Sequence, residues 1–181
     1  GLGDVYKRQV QIWSGASTVA TSGGIAIQTG DSGTSGDSGA IVMSTGTSQD
    51  DVTGAIWIGT GEADGGDSGA VNINSGTSTD GRSGSIYVRA GKGNTGDGGN
   101  VVVVSGETTV AGSAGGMVSL TAGLGSSVDG TDGGDGGAVV ITAGEALGSN
   151  QTSDVGGDIV VTAGAASSAM GGSVQVMSGV S

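Results

Sequence analysis

Two segments place a serine where acyl-transfer chemistry could use one: Gly36-Asp37-Ser38-Gly39 and Gly66-Asp67-Ser68-Gly69. A serine hydroxyl is a weak nucleophile until a base takes its proton, and that base is ordinarily a histidine. The chain has no histidine. Both segments also fall at one phase of an internal repeat, so they read as structural turns. Gly91-Lys92-Gly93-Asn94-Thr95-Gly96 has the glycine spacing that lets backbone approach a pyrophosphate. That chemistry needs a helix N-terminus directly after the glycines, and the residues that follow read as strand. With 43 Gly in 181 residues, such a spacing arises by chance. No catalytic residue and no cofactor is assigned, and the chain is expected not to be an enzyme.

Carboxylates are the remaining chemistry-bearing groups. Asp37, Asp67, Asp97 and Asp135 each lie two residues before the first Gly of a repeat. Oxygen ligands suit calcium, so these four are the weak calcium candidates. In the intervening repeats the same position is Val52, Arg82 or Ala114. Carboxylates stacked in every repeat would repel one another, and this alternation avoids that without a metal. A solvated turn column is therefore the preferred reading, and no metal is assigned. Gly133-Gly134-Asp135-Gly136-Gly137 is similar to the turns of calcium-binding β-rolls, but those repeat every nine residues, and the spacing here is longer.

The elements that would position these groups follow from one phrase. It runs Gly, any residue, aliphatic, any, aliphatic, any, a small residue, Gly. It opens at Gly23, Gly39, Gly54, Gly69, Gly84, Gly99, Gly116, Gly137, Gly157 and Gly172, and Val10 to Gly15 carries it without the first Gly. That makes eleven copies, mostly 15 residues apart. The first aliphatic column contains only Val and Ile, and the second adds Met43 and Leu120. The third contains only Ser, Thr and Ala. Alternation of period two predicts a strand with one buried face. Fifteen residues are too few for a helix plus a strand, but they fit two short strands and two turns. The predicted fold is therefore all-β: a β-solenoid of about eleven coils with two short strands per coil. Its coils would stack at about 4.8 Å, with a sharp corner at each closing Gly. It would run as one continuous domain over 10–181, with longer turns at 107–115, 124–136 and 145–156.

Composition narrows the partners. Gly-rich sequence without Pro and without a Gly-X-Y period is not collagen. A net charge of −12 repels phosphate backbones, so nucleic acid is not an expected partner. No run of 18 apolar residues exists, so no membrane insertion is expected. Without Cys, no disulfide can form. The outward positions Val42, Trp57, Tyr87, Val102, Val104, Val140 and Val160 form an apolar line. Such a line marks packing against another chain, so self-association into a homo-oligomer or filament is expected. Thr121, Thr142 and Thr162 occupy one outward position in three successive copies. Threonine ladders of this kind serve ice-binding proteins, which gives an alternative reading as an ice-binding or adhesive module. Asn150-Gln151-Thr152 is a sequon for N-linked glycan in a long turn, and together with the Ser/Thr-rich turns it points to an extracellular or cell-surface glycoprotein.

The phrase Gly-x-Val-x-Val-x-Ser/Thr/Ala-Gly, with Ser, Gly and Asp spacers, resembles the glycine-rich β-solenoid repeats of large microbial surface or filament proteins of marine or algal type. The resemblance covers nearly everything after Gln9 and implies a structural segment of an extracellular filament or cell-surface fibre. The leader 1–9, Gly1-Leu2-Gly3-Asp4-Val5-Tyr6-Lys7-Arg8-Gln9, differs in style. It resembles an artefact of sequence assembly, with native sequence expected to start near Val10. The stop at Ser181 is what a piece of a longer chain would show.

Overall fold

The computed structural model describes residues 9–150 and 152–179, so the leader lies outside the described residues apart from Gln9. Among the described residues there is no helix and no β-strand. The expected solenoid of eleven coils with two strands each is therefore not seen among the described residues. The chain's two compact units are Gly1–Ile86 and Tyr87–Ser181.

The accessible surface shows how open the chain is. It amounts to 18157 Å². A compact protein of 16.8 kDa would expose about 7,700 Å², and the same chain fully extended about 24,000 Å². No described residue is buried. Nine backbone–backbone hydrogen bonds occur among the described residues, where a folded domain makes on the order of one hydrogen bond per residue, most of them in the backbone. Several further peptide groups bond to side chains in the spacers, such as the Ala20 N–H to Ser17 and the Asp51 N–H to Ser48.

Five of those nine bonds share a pattern. The N–H of an opening Gly donates to the carbonyl of the preceding closing Gly: Gly23 to Gly15 (2.9 Å), Gly116 to Gly106 (2.8 Å), and Gly137 to Gly123, Gly157 to Gly144 and Gly172 to Gly164 (2.9 Å each). Each bond pins the two ends of a spacer together. Three of them close the long turns 107–115, 124–136 and 145–156.

The same meeting point recurs where no such bond is made. A Cβ on Gly39 would lie 3.2 Å from Thr29, on Gly54 3.5 Å from Thr45, on Gly69 3.4 Å from Thr60, and on Gly99 3.3 Å from Ala90. So each copy begins against the small residue that ends the one before it. Thr29 Oγ1 also donates to the Gly39 carbonyl (3.2 Å).

The end copies show where the aliphatic residues gain their partial cover. From Ile25 to Val174 the first aliphatic of every copy is 51–55% exposed, but Val10, with no opening Gly and no copy before it, is 89% exposed. The second aliphatic is 64–75% exposed in ten copies and 93% in Val176, in the last copy of this sequence. The start of a copy is thus shielded by the one before it, and its later part by the one after it.

This geometry explains the departure from a solenoid. A solenoid needs like positions, one repeat apart, to pair along their whole length. Here the end of one copy meets the start of the next, and the backbone bonds between copies among the described residues are confined to that junction. Two aliphatic side chains per copy give little apolar area to bury. Every Gly adds conformational freedom that order would remove. The spacers are rich in Gly and Asp, which disfavour strands. A ladder along the whole copy is therefore not held.

The turn chemistry also differs from expectation. None of the described closing glycines has positive φ; among the described residues Gly36 (112°), Gly96 (71°) and Gly112 (77°) do, and all three lie in spacers. Gly112 shows why a glycine is needed. The Ser113 N–H donates to the Val110 carbonyl (3.2 Å), which makes Gly112 the third residue of a tight turn, where type II geometry puts φ near +80°.

The close approach of the opening glycines can be checked by substitution. Gly116→Ala puts a Cβ 3.1 Å from the Gly106 N and 3.2 Å from Ser105 Cβ, and should break the closure. A lost backbone hydrogen bond of about 1 kcal/mol lowers amide protection at position 116 roughly fivefold in hydrogen exchange. Gly98→Ala, which meets nothing within 4 Å, should leave that protection unchanged.

Candidate interaction surface

Each phrase keeps its alternation of faces without a ladder. The Arg89 guanidinium lies 5.1 Å from the centre of the Tyr87 ring, a cation–π pair between residues two apart on one side of an extended segment. The residues assigned to the lateral interface, Val42, Trp57, Tyr87, Val102, Val104, Val140 and Val160, are all exposed. So are Thr121, Thr142 and Thr162. The aliphatic columns that were expected to be interior are exposed as well, so both faces of each phrase present apolar atoms to solvent.

The least exposed positions are others. Ser14, Ser75, Ala122, Ala143 and Ala163 of the third, small column are half-buried, as are Thr108 and Gly125 in the long spacers. That column meets the opening glycines. It is where successive copies touch. Its restriction to Ser, Thr and Ala was the available signal, since a larger side chain could not sit under a glycine at 3.2–3.9 Å.

The acidic candidates do not converge. Among the described residues no group of three or more His, Cys, Asp or Glu could hold a metal ion, and Asp37, Asp67, Asp97 and Asp135 share no such group. Asp135 lies instead within the closed loop 124–136. Its carbonyl and the Gly134 backbone crowd Gly125 so closely that no side chain fits there. The Gly134 N–H donates to the Ser127 carbonyl (3.1 Å), which holds the loop's two arms together.

The most organised carboxylate is one that the spacing did not reveal. Asp129 Oδ1 accepts from the Thr131 hydroxyl (2.7 Å), the Thr131 N–H (2.9 Å) and the Asp132 N–H (3.1 Å). Hydrogen bonds to the ionised form favour it. The Thr131 hydroxyl first, then the two backbone donors, lower the Asp129 pKa from 3.8 to about 2. The side chain is fully exposed, so this orders a local turn and does not anchor a fold.

No cavity forms among the described residues, and the sequence holds no His to act as base for Ser38 or Ser68. Among the described residues no helix is long and apolar enough to cross a membrane. No protein-family model matches the chain, and comparison with curated proteins and with solved structures gives no match.

The Asp129 turn predicts a pH effect of defined sign. Because the pKa in the turn is depressed, the turn is held above the ordinary carboxylate pKa and loosens as pH falls through about 2. The carboxyl ¹³C shift of Asp129 followed by NMR should therefore titrate near 2, and Thr131→Val should move its midpoint up toward 3.8.

Proposed function

We propose that this chain is a structural repeat segment of an extracellular filament or cell-surface fibre, with no catalytic role, whose apolar phrases are covered by further copies of the same chain. The observation that carries this reading is the persistent exposure of the aliphatic columns and of the outward residues in every copy. A monomeric soluble protein rarely leaves contiguous apolar area beyond a few hundred Å². A stable interface needs about 1,200–2,000 Å² in total, and every aliphatic of the phrases is at least half exposed and open to contribute to one.

Charge placement favours a second copy as the partner. Of the 17 acidic residues, only Asp158 lies inside a phrase; the rest lie in the spacers and the leader. Phrases can therefore meet phrases without enclosing carboxylates, while the spacers keep the acids in water. The common spacing of the copies lets one chain match another over many phrases. The net charge of −12 opposes approach, so salt should promote assembly by screening, over a length of about 10 Å at 0.1 M ionic strength.

Sedimentation velocity across a concentration series tests this. Reversible association, strengthened by salt, is expected. Val102→Lys combined with Val104→Lys should weaken it more than tenfold, whereas Val128→Lys, at an exposed spacer position, should not. A chain that stays monomeric to millimolar concentration at high salt would sink the proposal.

The exposure of Thr121, Thr142 and Thr162 at one position of three successive copies favours a second reading, an ice-binding or adhesive surface. Thermal hysteresis measured on the wild type and on Thr142→Lys is its test, with hysteresis reduced in the variant as the expected result.

A further inference from the structure

Among the described residues the densest hydrogen bonding gathers on one residue, Asn150. Its carbonyl accepts from the Ser153 N–H (3.4 Å) and the Asp154 N–H (3.0 Å). Its own N–H donates to Asp154 Oδ2 (2.7 Å). Its side-chain Oδ1 accepts from the Thr152 N–H (3.0 Å) and the Thr152 hydroxyl (2.7 Å). The turn thus uses the backbone N–H, the backbone carbonyl and Oδ1, and it leaves Nδ2 outside all of these bonds. Asn150 and Thr152 are both exposed. Behind the turn, the Asp154 carboxylate lies so close to Gly148 that no side chain fits at position 148.

We infer that Asn150 is an acceptor of N-linked glycan, delivered by a transferase that uses a lipid-diphosphate oligosaccharide as donor. An amide nitrogen is a poor nucleophile because its lone pair is delocalised into the carbonyl. Two hydrogen bonds on Oδ1 polarise the amide and make an Nδ2 proton easier to remove. In the transfer, Nδ2 forms a bond to the sugar anomeric carbon and the bond from that carbon to the diphosphate oxygen breaks. The diphosphate leaves with the electron pair, and the amide gives one proton to a base of the transferase. No oxidant or reductant is needed. The hydroxyl at position 152 is the part of the sequon that supplies the bond to Oδ1. Asp154 acts as a positioning residue, since its carboxylate ties down the Asn150 backbone. Asn72, Asn74, Asn94 and Asn100 lack Ser or Thr two residues on.

The full chain, directed into the secretory lumen of a eukaryotic host and recovered from the medium, is the material for the test. Intact mass should show one N-glycan. Its enzymatic release by an amidase should convert Asn150 to Asp, with incorporation of solvent ¹⁸O at that residue. Asn150→Gln and Thr152→Val should abolish the modification, and Thr152→Ser should retain it. Asp154→Ala should lower occupancy severalfold, while Asp158→Ala should not. Chain recovered from the medium with Asn150 unmodified would overturn the assignment. Occupancy unaffected by Asp154→Ala would overturn the role of the turn. These readouts are independent of chain association, so they stand apart from the assembly tests.

Discussion

Everything regular in this molecule depends on the approach of an opening glycine to the small residue that ends the preceding copy. A Cβ at Gly39 or Gly116 would come within 3.2 Å of heavy atoms of that neighbour, a distance that side chains do not tolerate without a shift. Glycine above and Ser, Thr or Ala below are therefore two halves of one contact. It repeats down the chain, sometimes with the backbone bond between the two glycines and sometimes without it. The near-constant exposure of the first aliphatic column from Ile25 to Val174 is its imprint.

That contact is also short. It joins the end of one phrase to the start of the next and leaves the middle of each phrase without backbone partners. Peptide groups in water lose little by remaining there, because the net gain from an intramolecular hydrogen bond is only about 1 kcal/mol. The apolar side chains do lose. Valines and isoleucines that stay exposed retain the full hydration cost that burial would remove. A chain of this kind carries its unmet stabilisation on its surface, which is the physical basis for assigning it an assembling role.

The spacers carry the local order that the phrases lack. Asp129 and Asn150 each organise a turn through a side-chain oxygen that accepts from residues two or three positions on. Short polar side chains compete well for backbone donors where no ladder claims them. Both turns belong to the long spacers of the second unit, where loop closure between two glycines already restricts the chain.

The sequence by itself determined the repeat, the phase of every phrase, the small third column and the placement of nearly all acids in the spacers. It also marked Asn150 and the outward valines as the positions of interest. These are local properties, set by residue type and spacing. The Asp129 turn was not legible, because an Asp followed by Thr two residues later is common and only geometry shows which hydroxyl turns inward. The lack of strand pairing among the described residues was not legible either. Period-two alternation states that a segment can be extended, but not which neighbour it lies against. Tertiary structure decided that the end of one copy meets the start of the next, as Ala90 meets Gly99. A glycine facing a small side chain can close tightly over a short span, whereas two aliphatic residues per copy bury too little to hold extended, glycine-rich segments in register.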